Sequence, residues 1–172
     1  DKTTYEQNKH AKQLAKSDYR GAPYPYSYLH MVPAGTLTST AEDMAQFMLA
    51  HLEHHKGLGS EKMFREMHAA QHRMHENLPG MAYGFYEGSM HGRTTLRHEG
   101  SVDAYISELV LIPDEQIGIF VSINGVTGNE SVYLIQDYIE QLTELLFAEN
   151  TAEPYRTRQY SPSDAPTPVG EL

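Results

Sequence analysis

Apolar residues recur along this chain with two different periods, and the period separates predicted helices from predicted strands. In segments 39–75 and 129–148 an apolar residue stands at every third or fourth position, which is typical of amphipathic helices. Between these segments, short apolar runs bounded by turn-forming residues predict strands at 82–88, 93–98, 104–112 and 116–123. The pattern therefore predicts an α+β fold: an antiparallel sheet, a final helix packed on it, and a more helical lobe at 39–75.

Capping residues predict where the helices begin and end. Ser39 and Glu42 match a capping box, so a helix is expected to follow Ser39 and to end at Gly57 or Gly59. A second helix is predicted from Ser60 to about residue 72. The first helix is predicted to bury Ala41, Met44, Phe47, Met48 and Leu52, and the final helix Val132, Ile135, Ile139, Leu142, Leu145 and Leu146.

A change of composition at Glu149 predicts the end of the folded domain. Residues 149–172 contain four prolines and few large apolar side chains, so this segment has little to bury and is expected to be a linker or tail. One domain is therefore predicted over 1–148, divided into the helical lobe at 39–75 and the sheet with its final helix at 82–148.

Composition and charge exclude several classes of partner. The chain has 172 residues, is 40% hydrophobic and carries a net charge of −10 at pH 7. This length is enough for one hydrophobic core, whereas the negative charge argues against binding to a nucleic acid backbone. No apolar run reaches the length of a membrane span, and the absence of cysteine excludes disulfides and thiolate chemistry.

The stretch His98-Glu99-Gly100-Ser101 holds the best candidates for chemistry. It lies between two predicted strands, with Arg93 to Arg97 before it and Ala104 to Ile112 after it. A cationic side chain at a strand end can polarise a reacting carbonyl, the glycine lets substrate approach the backbone, and the following N–H can donate to an oxyanion. These residues are therefore candidates for acyl transfer, although the short pattern alone equally fits an ordinary surface histidine at the end of a hairpin.

Three segments, in order, resemble the serine β-lactamase-like superfamily, and in particular its class C β-lactamase, esterase and penicillin-binding-protein-like branch. Val32 to Phe47 is similar to the family's Pro-Ala-Gly loop and Ser-Thr-x-x-Asp-Met helix, and Gly84 to Gly100 ends in a His-x-Gly similar to the third catalytic motif. Leu109 to Asn124 resembles the hairpin that closes the family's sheet. The resemblance covers roughly residues 1–148 and implies a partial β-lactamase or DD-peptidase-like fold.

For the third motif the resemblance implies three site residues. His98 takes the place of the family's basic residue, which helps to hold the acyl carbonyl or carboxylate end of a substrate and tunes the proton relay. Gly100 would let the strand edge approach the substrate, and the Ser101 N–H would be the second oxyanion donor. The resemblance also implies a bacterial, extracytoplasmic setting, and it implies no cofactor.

Glu99 departs from the family, in which the middle position of this motif is commonly Thr or Gly. A carboxylate near the pocket disfavours carboxylate-bearing substrates such as penicillins, so it argues against a β-lactamase more than against a general hydrolase. Contact with His98 would raise the pKa of the imidazole, but neighbouring residues on a strand point to opposite faces.

The family's first two motifs are missing from the sequence. No serine is followed three residues later by lysine, so there is no Ser-x-x-Lys nucleophile. The family's second motif is Tyr-x-Asn or Ser-x-Asn, and it precedes His-x-Gly. Ser122-Ile123-Asn124 matches this pattern, but it follows His-x-Gly and lies in an apolar run, so the match is interpreted as a coincidence. The chain is therefore predicted to be the carboxy-terminal part of a serine hydrolase, inactive on its own.

The predicted fragment has consequences for substrate and partners. The full-length protein is expected to act on a small-molecule ester or amide or on a peptidoglycan-like substrate. The fragment is expected to associate with its missing amino-terminal half or with itself, because an open sheet edge favours pairing with another chain. The alternative is a non-catalytic binding module on the same fold.

Ten histidines raise a metal-binding alternative, because two imidazoles one helical turn apart can chelate zinc. Two clusters have helical spacing: His51, His54 and His55, and His68, His72 and His75. There is no cysteine, no carboxylate stands at the zincin position between His68 and His72, and both clusters are expected on solvent-exposed helix faces. A metal site is therefore not predicted at either cluster.

Overall fold

The computed structural model of the chain describes residues 17–19, 22–24, 34–54, 57–102, 105–126 and 130–148. The elements in chain order are β1 (Ser17–Tyr19), β2 (Ala22–Tyr24), α1 (Ala41–Leu52), α2 (Glu61–His68), β3 (Tyr86–Met90), β4 (Arg93–Val102), β5 (Tyr105–Ile112), β6 (Ile117–Ile123), β7 (Gly125–Val126) and α3 (Glu130–Phe147). The predicted tail at 149–172 lies outside the described ranges.

The main sheet has four antiparallel strands in the order β3-β4-β5-β6, so the predicted α+β class is confirmed. A smaller sheet has the order β2-β1-β7, with β1 antiparallel to β2 and parallel to β7. No helix within the described ranges is long and apolar enough to cross a bilayer.

Tight turns set the ends of the strands. His91 (φ 49°) and Gly92 (φ 77°) are both left-handed, as a two-residue type I′ hairpin between β3 and β4 requires. β3 begins at Tyr86, later than predicted, because the Ala82 N–H donates to the Phe85 carbonyl (2.8 Å) and closes a turn before it. β4 extends past the predicted end at His98 to Val102, because this extension pairs with β5.

Both faces of the main sheet are covered by helices. One face carries Ile106, Val110, Ile112 and Ile119, which pack against Ile135 and Ile139 of α3. The other face carries Leu96, Leu109 and Leu111, which pack against Met48 and Leu52 of α1. The predicted packing of the final helix on the sheet is thus confirmed, and the first helix of the predicted lobe also lies against the sheet.

The predicted helix boundaries need three corrections. Thr40 rather than Ser39 is the N-cap of α1, since its Oγ1 accepts from the Asp43 N–H at 3.1 Å. α1 ends at Leu52, before the two glycines that were expected to end it. α2 begins at Glu61, one residue after its predicted start at Ser60, but ends at His68, because residues 71 and 72 form backbone bonds with Met81 instead of a further turn.

Some residues predicted to be buried are exposed. Ala41 and Phe47 of α1 face solvent, and on α3 the buried stripe runs through Ile135, Ile139 and Thr143 rather than through Leu145 and Leu146. The Thr143 hydroxyl is accommodated there because it donates to the Ile139 carbonyl at 2.9 Å. The side chain of Val132 lies outside the described residues.

Candidate active site

The outer edge of β4 is uncovered beyond the start of β3. Tyr86, the first residue of β3, pairs with Arg97, whereas β4 continues from His98 to Val102. This continuation remains paired with β5 on its inner side, with Gly100 opposite Ser107. The predicted motif therefore lies on a strand segment held by one neighbour, and none of the other described strands covers its outer edge.

The pairing register decides which face each motif side chain takes. His98 lies opposite Leu109, on the face that packs against α1, and Glu99 lies opposite Glu108, on the face toward α3. Both motif side chains are exposed. The expected alternation is present, so the imidazole of His98 and the carboxylate of Glu99 point to opposite faces of the sheet.

Tyr86 contacts the motif from the end of β3. Its phenol ring stacks on the imidazole of His98, with ring centroids 5.8 Å apart and an interplanar angle of 20°. Its Oη accepts a hydrogen bond from the backbone N–H of Glu99 at 3.2 Å. Sequence reasoning did not single out Tyr86 as a site residue, although it belongs to the segment that carried the family resemblance.

The bond from Glu99 to Tyr86 fixes the direction of the next donor. Tyr86 belongs to the strand on the outer side of β4, so the Glu99 N–H points outward from that edge. In a strand the N–H direction repeats every second residue, so the Ser101 N–H points outward as well. The structure thus brings His98, Gly100 and the Ser101 N–H together on one open edge.

Two carboxylates face each other across β4 and β5, and only one of them is neutralised within the described residues. Glu108 is 2% exposed and pairs with Arg97, whose Nε donates to its Oε1 at 2.8 Å. Glu99 lies directly opposite Glu108 and has no ion-pair partner among the described side chains. Sequence reasoning missed the Arg97–Glu108 pair because it depends on the register of two strands.

A cleft of about 240 Å³ opens beside this edge, on the α3 side. It is lined by Tyr86, Glu99, Gly100, Ser101, Ile106, Ser107, Glu108 and Ile135. Its polar lining therefore comes mainly from the motif and from the strand paired with it, which places an acidic surface next to the outward-pointing Ser101 N–H.

Comparison with known proteins decides the family. Residues 1–144 match the family model described as Beta-lactamase. The chain belongs to the β-lactamase family. This confirms the predicted resemblance, and no curated protein matches the chain.

Two solved penicillin-binding-protein structures resemble this β-lactamase-family chain. The octameric penicillin-binding protein homologue from Pyrococcus abyssi matches with a TM-score of 0.54 and 23% identity, over 65% of this chain and 25% of that one. The penicillin-binding protein from Bacillus halodurans matches with a TM-score of 0.46 and 19% identity, over 58% of this chain and 30% of that one. The chain thus shares the fold of the first structure and spans only part of its length.

In this β-lactamase-family chain the Ser-x-Asn string at 122–124 does not reach the open edge. Gly100 of β4 is opposite Ser107 of β5, which is in turn opposite Ser122 of β6. Ser122 is therefore two strands away from the motif, about 10 Å in the hydrogen-bonding direction. Its position is consistent with the interpretation of the string as a coincidence.

The histidines are arranged differently from the prediction. His51 is 4% exposed, and its Nδ1 is hydrogen-bonded to Nε2 of His68 at 3.0 Å, so the expectation of solvent exposure is wrong for these two residues, whereas His72 and His75 are exposed as expected. The pair joins α1 to α2 and contacts the rings of Phe64 and Phe85. Within the described residues, which exclude His55, no group of three or more potential ligands could hold a metal ion.

Burial controls the protonation of this pair. Burial lowers the pKa of His68 to about 4, with smaller contributions from the positive charges that His51 and His54 would carry. Burial, and then the charge of His54, also lowers the pKa of His51. Both imidazoles are therefore neutral near pH 7, which suits a bond in which one ring donates and the other accepts.

Proposed function

We propose that this chain supplies the third-motif edge of a serine hydrolase that transfers the acyl group of an ester, amide or peptide. His98 is the basic residue beside the reacting group, Gly100 keeps the strand edge accessible, and Ser101 contributes its backbone N–H. The observation that supports the proposal is the hydrogen bond from the Glu99 N–H to Tyr86 Oη, from which the Ser101 N–H is inferred to point out of the uncovered edge of β4.

The proposed chemistry needs this donor at one step. When a serine Oγ attacks the substrate carbonyl, the carbonyl electron pair moves to its oxygen, and the serine proton passes to a base. The Ser101 N–H then donates to the oxyanion, and a second donor comes from the backbone of the nucleophile. An imidazolium at His98 would stabilise the same negative charge, and a neutral His98 would serve the proton relay.

The nucleophile must come from outside these residues. The sequence has no Ser-x-x-Lys, so we propose that the segment carrying it precedes Asp1 in a longer chain or belongs to an associated chain. Edge strand β6 supports such an association, because no described strand pairs with its outer side. The octameric assembly of the similar Pyrococcus abyssi protein is consistent with self-association as the alternative.

The absence of the first two motifs from the sequence also favours a second candidate, a non-catalytic module that binds the same class of carbonyl compound. Such a module keeps the open edge and the N–H donor but forms no covalent intermediate. Covalent labelling therefore separates the two candidates.

The test is intact-mass analysis after exposure to a fluorophosphonate and, separately, to a penicillin. We expect no adduct on this chain and a fluorophosphonate adduct on a chain extended upstream through a Ser-x-x-Lys segment. Slow or absent penicillin labelling is expected, because Glu99 repels the penicillin carboxylate. Labelling of neither chain would favour the binding module, and labelling of this chain alone would contradict the proposal.

A matched pair of substitutions isolates the donor in the extended chain. Ser101→Pro removes the outward N–H at a position where an edge strand tolerates proline, and Ser101→Ala removes only the hydroxyl. The acylation rate should fall about 10²- to 10³-fold in Ser101→Pro and should change little in Ser101→Ala. Equal rates in the two variants would show that this N–H does not serve the oxyanion.

A further inference from the structure

Tyr86 makes two specific contacts with the motif, although it lies on a different strand. Because β3 starts at Tyr86, opposite Arg97, no strand residue before it pairs with the rest of β4. Its side chain instead runs along the uncovered edge, where the ring meets His98 and the hydroxyl meets the backbone of Glu99. Tyr86 thus contacts both the basic side chain of the motif, His98, and the backbone N–H of Glu99.

The ring contact restricts the orientation of His98. The imidazole is otherwise exposed to solvent, and a histidine on an open strand end has several rotamers of similar energy. Near-parallel stacking at 5.8 Å and 20° favours the rotamers that keep the two ring faces together. Such aromatic pairs are stabilising enough to change a rotamer population about two- to tenfold.

The Tyr86 hydroxyl accepts a hydrogen bond from the backbone N–H of Glu99, the outward-pointing donor two residues before Ser101. The Glu99 N–H is bonded to Tyr86 Oη at 3.2 Å and is not available to a substrate. An extended peptide or a carbonyl oxygen that approaches the edge therefore meets the Ser101 N–H as the next outward donor. The hydroxyl also holds the local backbone of β4 at the point where the pairing with β3 has ended.

We propose that Tyr86 is a positioning residue of the third motif: its ring orients His98, and its hydroxyl occupies the Glu99 N–H so that substrate is directed to Ser101. This inference rests on the proposed function for its catalytic consequence, whereas the two contacts exist independently of that function.

Three variants separate the two contacts. Tyr86→Phe keeps the ring and removes the hydroxyl, and Tyr86→Leu removes both. Tyr83→Leu is the matched control, because Tyr83 lies in the loop just before β3, is 59% exposed and makes no described side-chain bond with the motif. NMR on this chain measures two quantities. The amide exchange rates of Glu99 and Ser101 report on the hydroxyl contact, and the ring-current shift of the His98 imidazole protons reports on the ring contact.

The expected NMR result differs for each variant. Tyr86→Phe should speed exchange of the Glu99 amide about two- to tenfold, the effect of one lost hydrogen bond, and should leave the His98 shift in place. Tyr86→Leu should change both signals, and Tyr83→Leu neither. Unchanged Glu99 exchange and unchanged His98 resonances in Tyr86→Leu would overturn the proposal whether or not the protein is an enzyme.

Kinetics of the extended chain test the catalytic consequence. Tyr86→Leu should lower the acylation rate constant for a chromogenic ester about two- to tenfold without raising its apparent Kd, and Tyr86→Phe, which keeps the ring, should lose less of that rate. A change in Kd alone would contradict a positioning role. If neither the unchanged extended chain nor any variant is acylated, the proposed function fails. The NMR result still shows whether Tyr86 makes its two contacts with His98 and Glu99.

Discussion

The imidazoles of His51 and His68 are joined by a hydrogen bond of 3.0 Å between Nδ1 and Nε2, and this bond links α1 to α2. The pair is enclosed by aromatic rings, with Phe64 and Phe85 set edge-on to His51 at 5.4 and 5.3 Å. Protonation of both rings would remove the acceptor from the bond and would place two positive charges in an apolar setting. The contact between the two helices is therefore sensitive to acid.

The first prediction is a loss of stability between pH 6.5 and about 4. The pKa of His68 is about 4 in the folded protein and 6.5 in an unfolded chain, so the unfolded state binds more protons within this window. The stabilisation is thus complete above pH 6.5 and is lost as the pH falls through the folded pKa. Urea unfolding from pH 7.5 to 4 measures it.

A double variant serves as the control for this prediction. His51→Phe with His68→Leu should remove this contribution to the pH dependence, whereas His72→Gln, which changes an exposed histidine, should keep it. The same pH slope in the double variant and in the unchanged protein would contradict the assignment to this pair.

The second prediction concerns the buried charge beside the candidate site. Arg97→Met leaves the carboxylate of Glu108 buried without its partner and should lower the free energy of unfolding by about 3–5 kcal/mol. Arg97→Met with Glu108→Leu should recover most of this loss, because neither charge remains. Urea unfolding at pH 7 measures both variants.

The control for the buried pair is an exposed one. Arg65 pairs with Glu61 one turn away on α2, with both side chains mostly in solvent, so Arg65→Met should cost less than about 1 kcal/mol. If Arg97→Met costs no more than Arg65→Met, Glu108 is solvated and the described pairing is wrong.

The third prediction tests the packing of α1 on the sheet. A Cβ added at Gly118 of β6 would lie 2.9 Å from the Cβ and Sδ of Met48, so α1 has to move to accept it. Gly118→Ala should therefore destabilise the fold by about 1–3 kcal/mol in thermal unfolding. At Gly125 an added Cβ meets no described atom within 4 Å, so Gly125→Ala should stay within about 1 kcal/mol of the unchanged protein.

The fourth prediction separates stability from activity at Gly100. A Cβ added there lies 3.0 Å from the Ser107 hydroxyl, which can rotate away, so Gly100→Ala should cost less than about 1 kcal/mol of stability. The same methyl group narrows the approach of substrate to the edge, so acylation of the extended chain should slow by about tenfold or more. An unchanged acylation rate would remove Gly100 from the site.

The sheet could be predicted from the sequence because its signals are local. The His91-Gly92 turn and the apolar runs of β5 and β6 mark a hairpin and two buried strands without any knowledge of their partners. The opposite orientation of His98 and Glu99 also follows from strand geometry alone. These features depend on residues that are neighbours in the chain.

The missed features depend on contacts between residues distant in sequence. Tyr86 reaches Glu99 only because β3 starts opposite Arg97, and no local pattern fixes that register. The bond between His51 and His68 likewise depends on how α1 meets α2, whereas the sequence pattern treats each helix separately and predicts exposed histidine faces. Side-chain pairing across elements is where sequence reasoning failed at the candidate site.

The oxyanion role of the Ser101 N–H is tested most directly by a crystal structure of the extended chain trapped as an acyl-enzyme. We predict an acyl carbonyl oxygen within about 3 Å of the Ser101 nitrogen, on the outer edge of β4 and beside His98. An acyl group whose carbonyl oxygen points away from this edge would contradict it, as would an extended chain that carries the nucleophile and never forms the acyl-enzyme.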